Sequence, residues 1–175
     1  MDNQVYQELL AAGEMPYHIQ RHCAAVAKKA DALAADLAAC GIVLNREKLR
    51  VAALVHDVCR EQKDHAAAGA VWAVQRGCPE IGKIIACHHW LSETQEKMIS
   101  EETVLYLADK LVKEDCEVSL EERFSASLGK CRTEIAQQAH KLRYEQAKRV
   151  EQLIMSAITK PGAYNIENNQ ERVTA

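Results

Sequence analysis

The longest regular pattern of apolar positions lies near the start of the chain. Between Pro16 and Cys40, apolar residues recur at steps of three or four, as on one face of an α-helix. These positions are Ile19, Cys23, Val26, Ala30, Leu33 and Leu37. Gly41 follows directly, at the place where a glycine commonly ends a helix. The pattern therefore predicts one long amphipathic helix over residues 16–40.

Residues that cap helices divide the next stretch of the chain. Asn45 is a suitable N-cap for a helix whose C-terminal end carries the adjacent pair His56 and Asp57. Asp64 is a suitable N-cap for a second helix over residues 65–75. The adjacent histidine and aspartate are therefore expected at the end of a rigid support.

Four further helices are predicted after residue 76. Gly77 interrupts the pattern, and a proline suited to a first turn then predicts a short helix over residues 79–89. After a polar connection, residues 103–114 again have a helical pattern. Ser119, followed three residues later by glutamate, has the form of a capping box. A long charged helix is predicted over residues 130–159.

The final helix combines a solvated outer face with an apolar stripe, which could also form a homodimer contact. The stripe is predicted to consist of Ile135, Ala139, Leu142, Ala147, Val150 and Leu153. Pro161 and the glycine after it end the helix. The polar segment 161–175 is predicted to be a disordered tail.

The composition favours helices throughout. Hydrophobic residues make up 48% of the 175-residue chain but aromatic residues only 5%, and alanine and leucine dominate over β-branched residues. No change in composition marks a second domain. We therefore expect an all-α, single-domain bundle of about six to eight helices. The domain is predicted to span residues 1–160, with a core over 16–115 and C-terminal helices over 119–160.

Charge and cysteine usage restrict the possible partners. The net charge of -3 gives no general attraction for nucleic acid or for an anionic membrane. No apolar run reaches the length of a membrane span, and the N-terminus lacks the features of a signal peptide. Seven cysteines without a CxxC pair are read as reduced thiols. These features favour a cytoplasmic protein that acts on a small molecule.

Histidines and aspartates fall on successive predicted helices. Imidazole nitrogen together with carboxylate oxygen suits divalent iron, manganese, cobalt or zinc, and helical bundles often build two-metal sites from facing helices. A mixed His/Asp metal centre is therefore a chemical expectation. The candidate ligands, in chain order, are His22, His56, Asp57, His65, His88 and Asp109.

The segments around these residues resemble a known family. In order they read HCAAVAKKA, LVHDVCR, KDHAAAGA, IIACHH and LYLADKL, within residues 16–115. The order H…HD…H…H…D is similar to that of the HD-domain metal-dependent phosphohydrolases. Within that superfamily the chain most resembles small bacterial HD proteins that are HDIG-like or similar to diadenosine tetraphosphate hydrolases.

The resemblance implies a ligand set for two metal ions. His22, His56, Asp57 and Asp109 would hold the first metal, and Asp57 would bridge to the second. His65 and His88 would be the additional ligands of the second metal. Iron and manganese are the first candidates, with zinc, cobalt, nickel and magnesium as alternatives.

Two neighbouring histidines compete with the assigned ligands. The family pattern H-polar-x-x-V-A fits His22, which is followed by Val26 and an alanine, better than His18. The pattern AI-x-x-H selects His88, and relatives with two adjacent histidines could use His89. His89 is therefore kept as a reserve ligand or substrate contact.

The resemblance also implies residues that act on the substrate. Asp57 would be part of the catalytic centre as the ligand shared by both metals. Arg60 matches the basic position of the family's HD-x-x-K segment, where it could bind a phosphate oxygen. Lys110 is a second candidate for this role. Asp64 could carry a proton or support a ligand histidine.

The expected activity is hydrolysis of a phosphoester or phosphoanhydride in a nucleotide or related small metabolite by a two-metal activated water. A mononuclear nucleotidase with the four core ligands is one alternative, and a regulatory module that binds metal or nucleotide without turnover is another. The chain lacks the GYP signature of cyclic-dinucleotide phosphodiesterases and the extended acidic motif of alarmone hydrolases. LVKED also replaces the proline and arginine expected after the final aspartate of diadenosine tetraphosphate hydrolases.

Overall fold

The structure is a computed structural model that describes residues 2–160. Eight α-helices and one short hairpin form this part of the chain, which confirms the all-α prediction. The helices are α1 Asp2–Ala12, α2 Tyr17–Ala39, α3 Arg46–Val55, α4 His65–Val74, α5 Pro79–Ala86, α6 Glu101–Lys110, α7 Leu120–Leu128 and α8 Glu134–Thr159. A 3₁₀ turn, Gln95–Lys97, precedes α6, and β1 Val112–Lys113 pairs antiparallel with β2 Cys116–Glu117.

Helices α2 and α6 form the centre of the bundle. The buried face of α2 includes Val26, Ala30 and Leu37, and α2 contacts α3, α6 and α8. Every residue of α6 from 102 to 110 is buried. Polar side chains at the end of α6 therefore lie inside the protein and need partners there.

The predicted caps are present and fix where the helices begin. The Asn45 side chain accepts a hydrogen bond from the Lys48 backbone N–H at 3.0 Å, and Asp64 accepts one from Ala67 at 3.5 Å. The capping box at Ser119 is also formed. Because α3 and α4 start where these caps place them, the adjacent histidine and aspartate lie just past the last turn of α3.

Small residues allow α4 and α5 to pack closely. A Cβ atom at Gly82 would lie 2.7 Å from the Ala70 carbonyl oxygen, and one at Gly69 would lie 3.2 Å from Ile85. Any larger side chain at Gly82 would push the two helices apart. The close crossing brings the start of α4 near the end of α5, where two of the candidate ligands lie.

Two helices end earlier than predicted. Helix α5 ends at Ala86 rather than at residue 89, so the paired histidines lie in the turn after it. Helix α6 ends at Lys110, and the hairpin replaces the predicted helix up to residue 114. Helix α1 was not anticipated, and the predicted tail 161–175 lies outside the described residues.

The predicted apolar stripe of α8 is partly wrong. Ile135 is 84% exposed and Leu142 is 44% exposed, although Ala147 and Val150 are buried as expected. The face of α8 that packs inward also includes Gln146, Ile154 and Ala157. None of the helices in the region from 2 to 160 is both long enough and apolar enough to cross a membrane.

Gln146 of α8 holds the segment that follows the paired histidines. Its side chain accepts a hydrogen bond from the Leu91 N–H at 3.1 Å, and its amide donates to the Leu91 carbonyl at 2.9 Å. The amide also donates to Glu96 at 2.9 Å. Gln146 is only 2% exposed, so water cannot easily replace these bonds.

We predict that Gln146→Leu lowers the free energy of unfolding by about 2–3 kcal/mol, because both buried polar groups of Leu91 lose their partner. Urea denaturation followed by circular dichroism measures the change. Gln152→Leu, an exposed position of the same helix, is the matched control and is expected to change stability by less than about 0.5 kcal/mol. Equal effects of the two variants would contradict the assigned role.

Candidate metal centre

Four of the predicted ligands meet where the ends of α3 and α6 approach α2. The His22 Nε2 atom lies 3.1 Å from Asp109 Oδ1 and 3.9 Å from Asp57 Oδ2. The His56 Nε2 atom lies 3.7 Å from each of the same two oxygens. These side chains come from three helices and are all buried. Donor atoms of His22, His56 and Asp57 all lie within 4.8 Å of one another, as around a single ion, and Asp109 approaches both histidines.

The other oxygen of Asp57 faces a second group of histidines. Its Oδ1 atom lies 3.1 Å from His65 Nε2 and 3.6 Å from His88 Nε2. Ligand atoms of His65, His88 and His89 all lie within 4.8 Å of one another. Asp57 therefore stands between two groups of nitrogen ligands, with one oxygen toward each group.

Hydrogen bonds orient three of these histidines. Nδ1–H of His22 donates to the Glu114 carbonyl at 2.7 Å. The corresponding atoms of His56 and His88 donate at 2.8 Å and 2.7 Å to the carbonyls of the residues three positions earlier. A carbonyl can only accept, so Nδ1 carries the proton and Nε2 of the neutral ring is free to bind a cation. This is the arrangement found around histidines that bind metals.

Several polar atoms at the centre have no hydrogen-bond partner within the described part of the chain. They are His56 Nε2, His88 Nε2 and Asp57 Oδ2, and all are shielded from solvent. Buried polar atoms are nearly always paired, so a group of unpaired ones that point toward each other could hold a cation. Nitrogen and carboxylate donors together suit a divalent transition metal.

The charges around the two carboxylates keep them ionised. Burial alone would raise the pKa of Asp57, but the hydrogen bond from His65 and the charges of His56 and Arg60 lower it well below its usual range. Burial opposes ionisation of Asp109 in the same way, and Lys110 with the hydrogen-bonding histidines lowers its pKa. Both groups therefore have the charged form that a metal requires.

Burial has the opposite effect on two of the histidines. It lowers the pKa of His88 well below the ordinary value and that of His89 to about 4, and nearby positive charge adds to both effects. His56 differs: burial again lowers its pKa, but Asp109, Cys23 and the charge of Asp57 together outweigh burial and raise the pKa well above its ordinary value. His88 and His89 are therefore neutral at pH 7, the form in which imidazole binds a cation.

The remaining predicted site residues lie at different depths. Arg60 reaches from the chain after α3 to within 3.2 Å of Asp57 Oδ2 and of His65 Nε2, and its side chain is 46% exposed. Lys110 is buried behind the centre, where it donates to Asp109 at 2.7 Å and to the His88 carbonyl at 2.8 Å. Asp64 caps α4 and lies outside the cluster.

The two alternative histidines have different positions. The His89 ring centroid lies 4.2 Å from that of His65 and 4.4 Å from that of His88, so His89 joins the second group. His18 is exposed at the rim of the adjacent cavity and does not approach the carboxylates. The family pattern selected His88 over His89 as the ligand. In the structure, the bend after α5 brings both rings together.

A cavity of about 430 Å³ opens beside the centre. His22, Asp57 and Arg60 form part of its wall, and Arg123 of α7 and Lys130 of the turn before α8 form another part. Sequence reasoning missed the latter two residues and the carbonyl that orients His22. Arg123 lies inside the SLEERF segment, where only the capping signal was recognised, and no periodic pattern could have placed it beside a distant aspartate.

Comparison with known protein families identifies one continuous segment of this architecture. The sequence model of the family described as HD domain matches residues 19–113, more than half of the chain. All six predicted metal ligands lie within the matched segment. No curated protein and no solved structure matches the chain.

We predict about two bound metals per chain after purification without chelator in the presence of manganese, because two groups of donors flank Asp57. Alanine at His65 or His88 is expected to remove about one metal and leave the other. Elemental analysis by mass spectrometry measures this content. His140→Ala is the control, at a histidine of α8 that bonds to Ser127 of α7. Retention of two metals in both site variants would disprove the assignment of the second group.

Proposed function

The chain belongs to the HD-domain family, whose members are generally metal-dependent phosphohydrolases, and we propose that it hydrolyses a phosphoester or phosphoanhydride bond. The substrate is a nucleotide or a related small phosphorylated metabolite. The observation that carries the proposal is the position of Asp57, whose two oxygens face two separate groups of histidines. That geometry supports a dinuclear centre.

His22, His56, Asp57 and Asp109 would hold one ion, and Asp57, His65 and His88 would hold the other, with His89 as a further donor. Bound divalent ions supply Lewis acidity and lower the pKa of water, which gives a nucleophile at neutral pH. Asp57 is the shared ligand. The main-chain hydrogen bonds of the histidines hold their Nε2 atoms toward the centre before any ion binds.

Arg60 is the residue proposed to contact the phosphate that is hydrolysed. Its guanidinium lies beside Asp57 and in the wall of the open cavity, where its remaining donors can reach a non-bridging oxygen. Lys110 is buried behind the candidate metal centre. The Lys110 ammonium pairs with Asp109 and also bonds to the main chain of His88. We therefore propose that Lys110 positions these ligands and does not contact the substrate.

Two other functions remain as alternatives to test. A mononuclear nucleotidase would use only the four core ligands, and a regulatory module would bind nucleotide without turnover. Metal content separates the first from the proposal. The resemblance to diadenosine tetraphosphate hydrolases makes that compound one member of the substrate panel. The cysteines within the described residues are free, which supports a reducing compartment such as the cytoplasm.

We predict that Asp57→Asn reduces phosphate release by at least about 1,000-fold, because the shared ligand loses its charge. The assay uses a panel of nucleoside mono-, di- and polyphosphates, including diadenosine tetraphosphate, with manganese under reducing conditions. Asp36→Asn, the same substitution at an exposed position of α2, is the control. Tight binding of a panel member by the wild-type protein without any phosphate release would instead support the regulatory module.

We predict that Arg60→Gln lowers kcat/KM by about 10- to 100-fold while the metal content stays the same, as expected for one charge-assisted hydrogen bond to phosphate. Steady-state kinetics on the best substrate of the panel and metal analysis of the same sample give the two readouts. Arg50→Gln, at an exposed position of α3, is the matched control. Loss of metal together with activity would assign Arg60 to the support of the centre.

A further inference from the structure

The cavity beside the metal centre has a second basic wall, and two of its three residues lie outside the segment matched by the family. Arg123 lies in α7, and Lys130 follows at the turn before α8. Lys113 of the hairpin completes this group, which we call the distal wall. None of the residues assigned above to metal or phosphate binding belongs to it.

The other cations of the cavity already have carboxylate partners. Arg21 pairs with Asp115 of the hairpin, and Arg60 lies 3.2 Å from Asp57. Their positive charges are therefore largely offset within the protein. They leave little attraction for a second anion.

The distal wall differs in this respect. Within residues 2–160, no carboxylate lies at ion-pair distance from Lys113, Arg123 or Lys130. Glu114 also lines the cavity and offsets only one of the three charges. A net positive surface therefore faces the same space as Asp57, which favours an anionic ligand there.

Arg123 provides the strongest evidence for such a ligand. Its Nε atom is shielded from solvent and has no hydrogen-bond partner among the residues from 2 to 160. Buried donors of this kind are rare, because an unpaired one costs about 1–3 kcal/mol. Ser127 bonds to the backbone carbonyl of Arg123 and leaves the guanidinium available.

We propose that Arg123, assisted by Lys113 and Lys130, binds a second phosphate of the substrate, next to the one held at the metal centre. The substrate then carries a chain of at least two phosphates, as in a nucleoside diphosphate or a dinucleoside polyphosphate, rather than a single phosphate. The cavity volume of about 430 Å³ lies in the range of sites for small organic ligands and exceeds the need of one phosphate. This inference rests on the proposed function and specifies its substrate class.

The test measures binding rather than turnover. Isothermal titration calorimetry compares imidodiphosphate, a slowly hydrolysed analogue of pyrophosphate, with orthophosphate on the manganese-loaded protein at one fixed concentration of free manganese. The wild-type protein is expected to bind imidodiphosphate at least about 10-fold more tightly than orthophosphate. Arg123→Gln is expected to weaken imidodiphosphate binding by about 10- to 100-fold and orthophosphate binding by less than about threefold.

Two further variants make the result specific. Arg123→Lys keeps the charge and is expected to restore part of the affinity, and Arg50→Gln is expected to bind both anions as the wild-type protein does. Equal losses for both anions in Arg123→Gln, no loss for either, or no binding of imidodiphosphate by the wild-type protein would overturn the inference. Normal imidodiphosphate binding without hydrolysis of any compound in the panel would instead count against the proposed function alone.

Discussion

The orientation of the histidines toward the candidate metal centre depends on hydrogen bonds that their Nδ1 atoms donate to main-chain carbonyls. His56 and His88 make the same kind of hydrogen bond, because each lies just past the end of a helix and donates to a carbonyl of the last turn. Such carbonyls have no partner within the helix, so the bond satisfies the helix end and fixes the ring at once. His22 lies inside α2, where the helix uses its own carbonyls, and it takes its acceptor from the hairpin instead. The centre therefore depends on where α3 and α5 stop and on how the hairpin docks.

The centre also concentrates charge in the interior. Asp57 and Asp109 are both buried, and Lys110 is the buried cation beside them. Removing two carboxylates from water costs several kcal/mol for each ion unless partners compensate. Histidines compensate in the metal-free protein through their hydrogen bonds and partial charge. When ligands of this kind bind an ion, part of the binding free energy stabilises the fold.

Local signals explain what the sequence could predict. The caps at Asn45 and Asp64 use hydrogen bonds between residues three positions apart, so they could be read directly from the chain. Long-range packing decided the rest: Gln146 is buried on α8 because it bonds to Leu91, whereas Leu142 stays largely exposed. A periodic pattern selects buried positions by hydrophobicity alone. It therefore predicted a buried Leu142 and missed the buried Gln146. The assembly of the candidate ligands was predictable only because their order along the chain resembles a known family.

The hairpin links two parts of the site through consecutive residues. Glu114 adopts a left-handed backbone conformation, with φ of 57°, and its carbonyl holds His22 while the neighbouring Lys113 lines the cavity. Arg21 and Lys29 of α2 anchor the same hairpin through ion pairs with Asp115 and Glu117. A ligand that shifts the hairpin must also shift the acceptor of His22. By thermodynamic reciprocity, an occupant of the cavity would then change the affinity for a bound ion by the same factor by which the ion changes the affinity for the occupant.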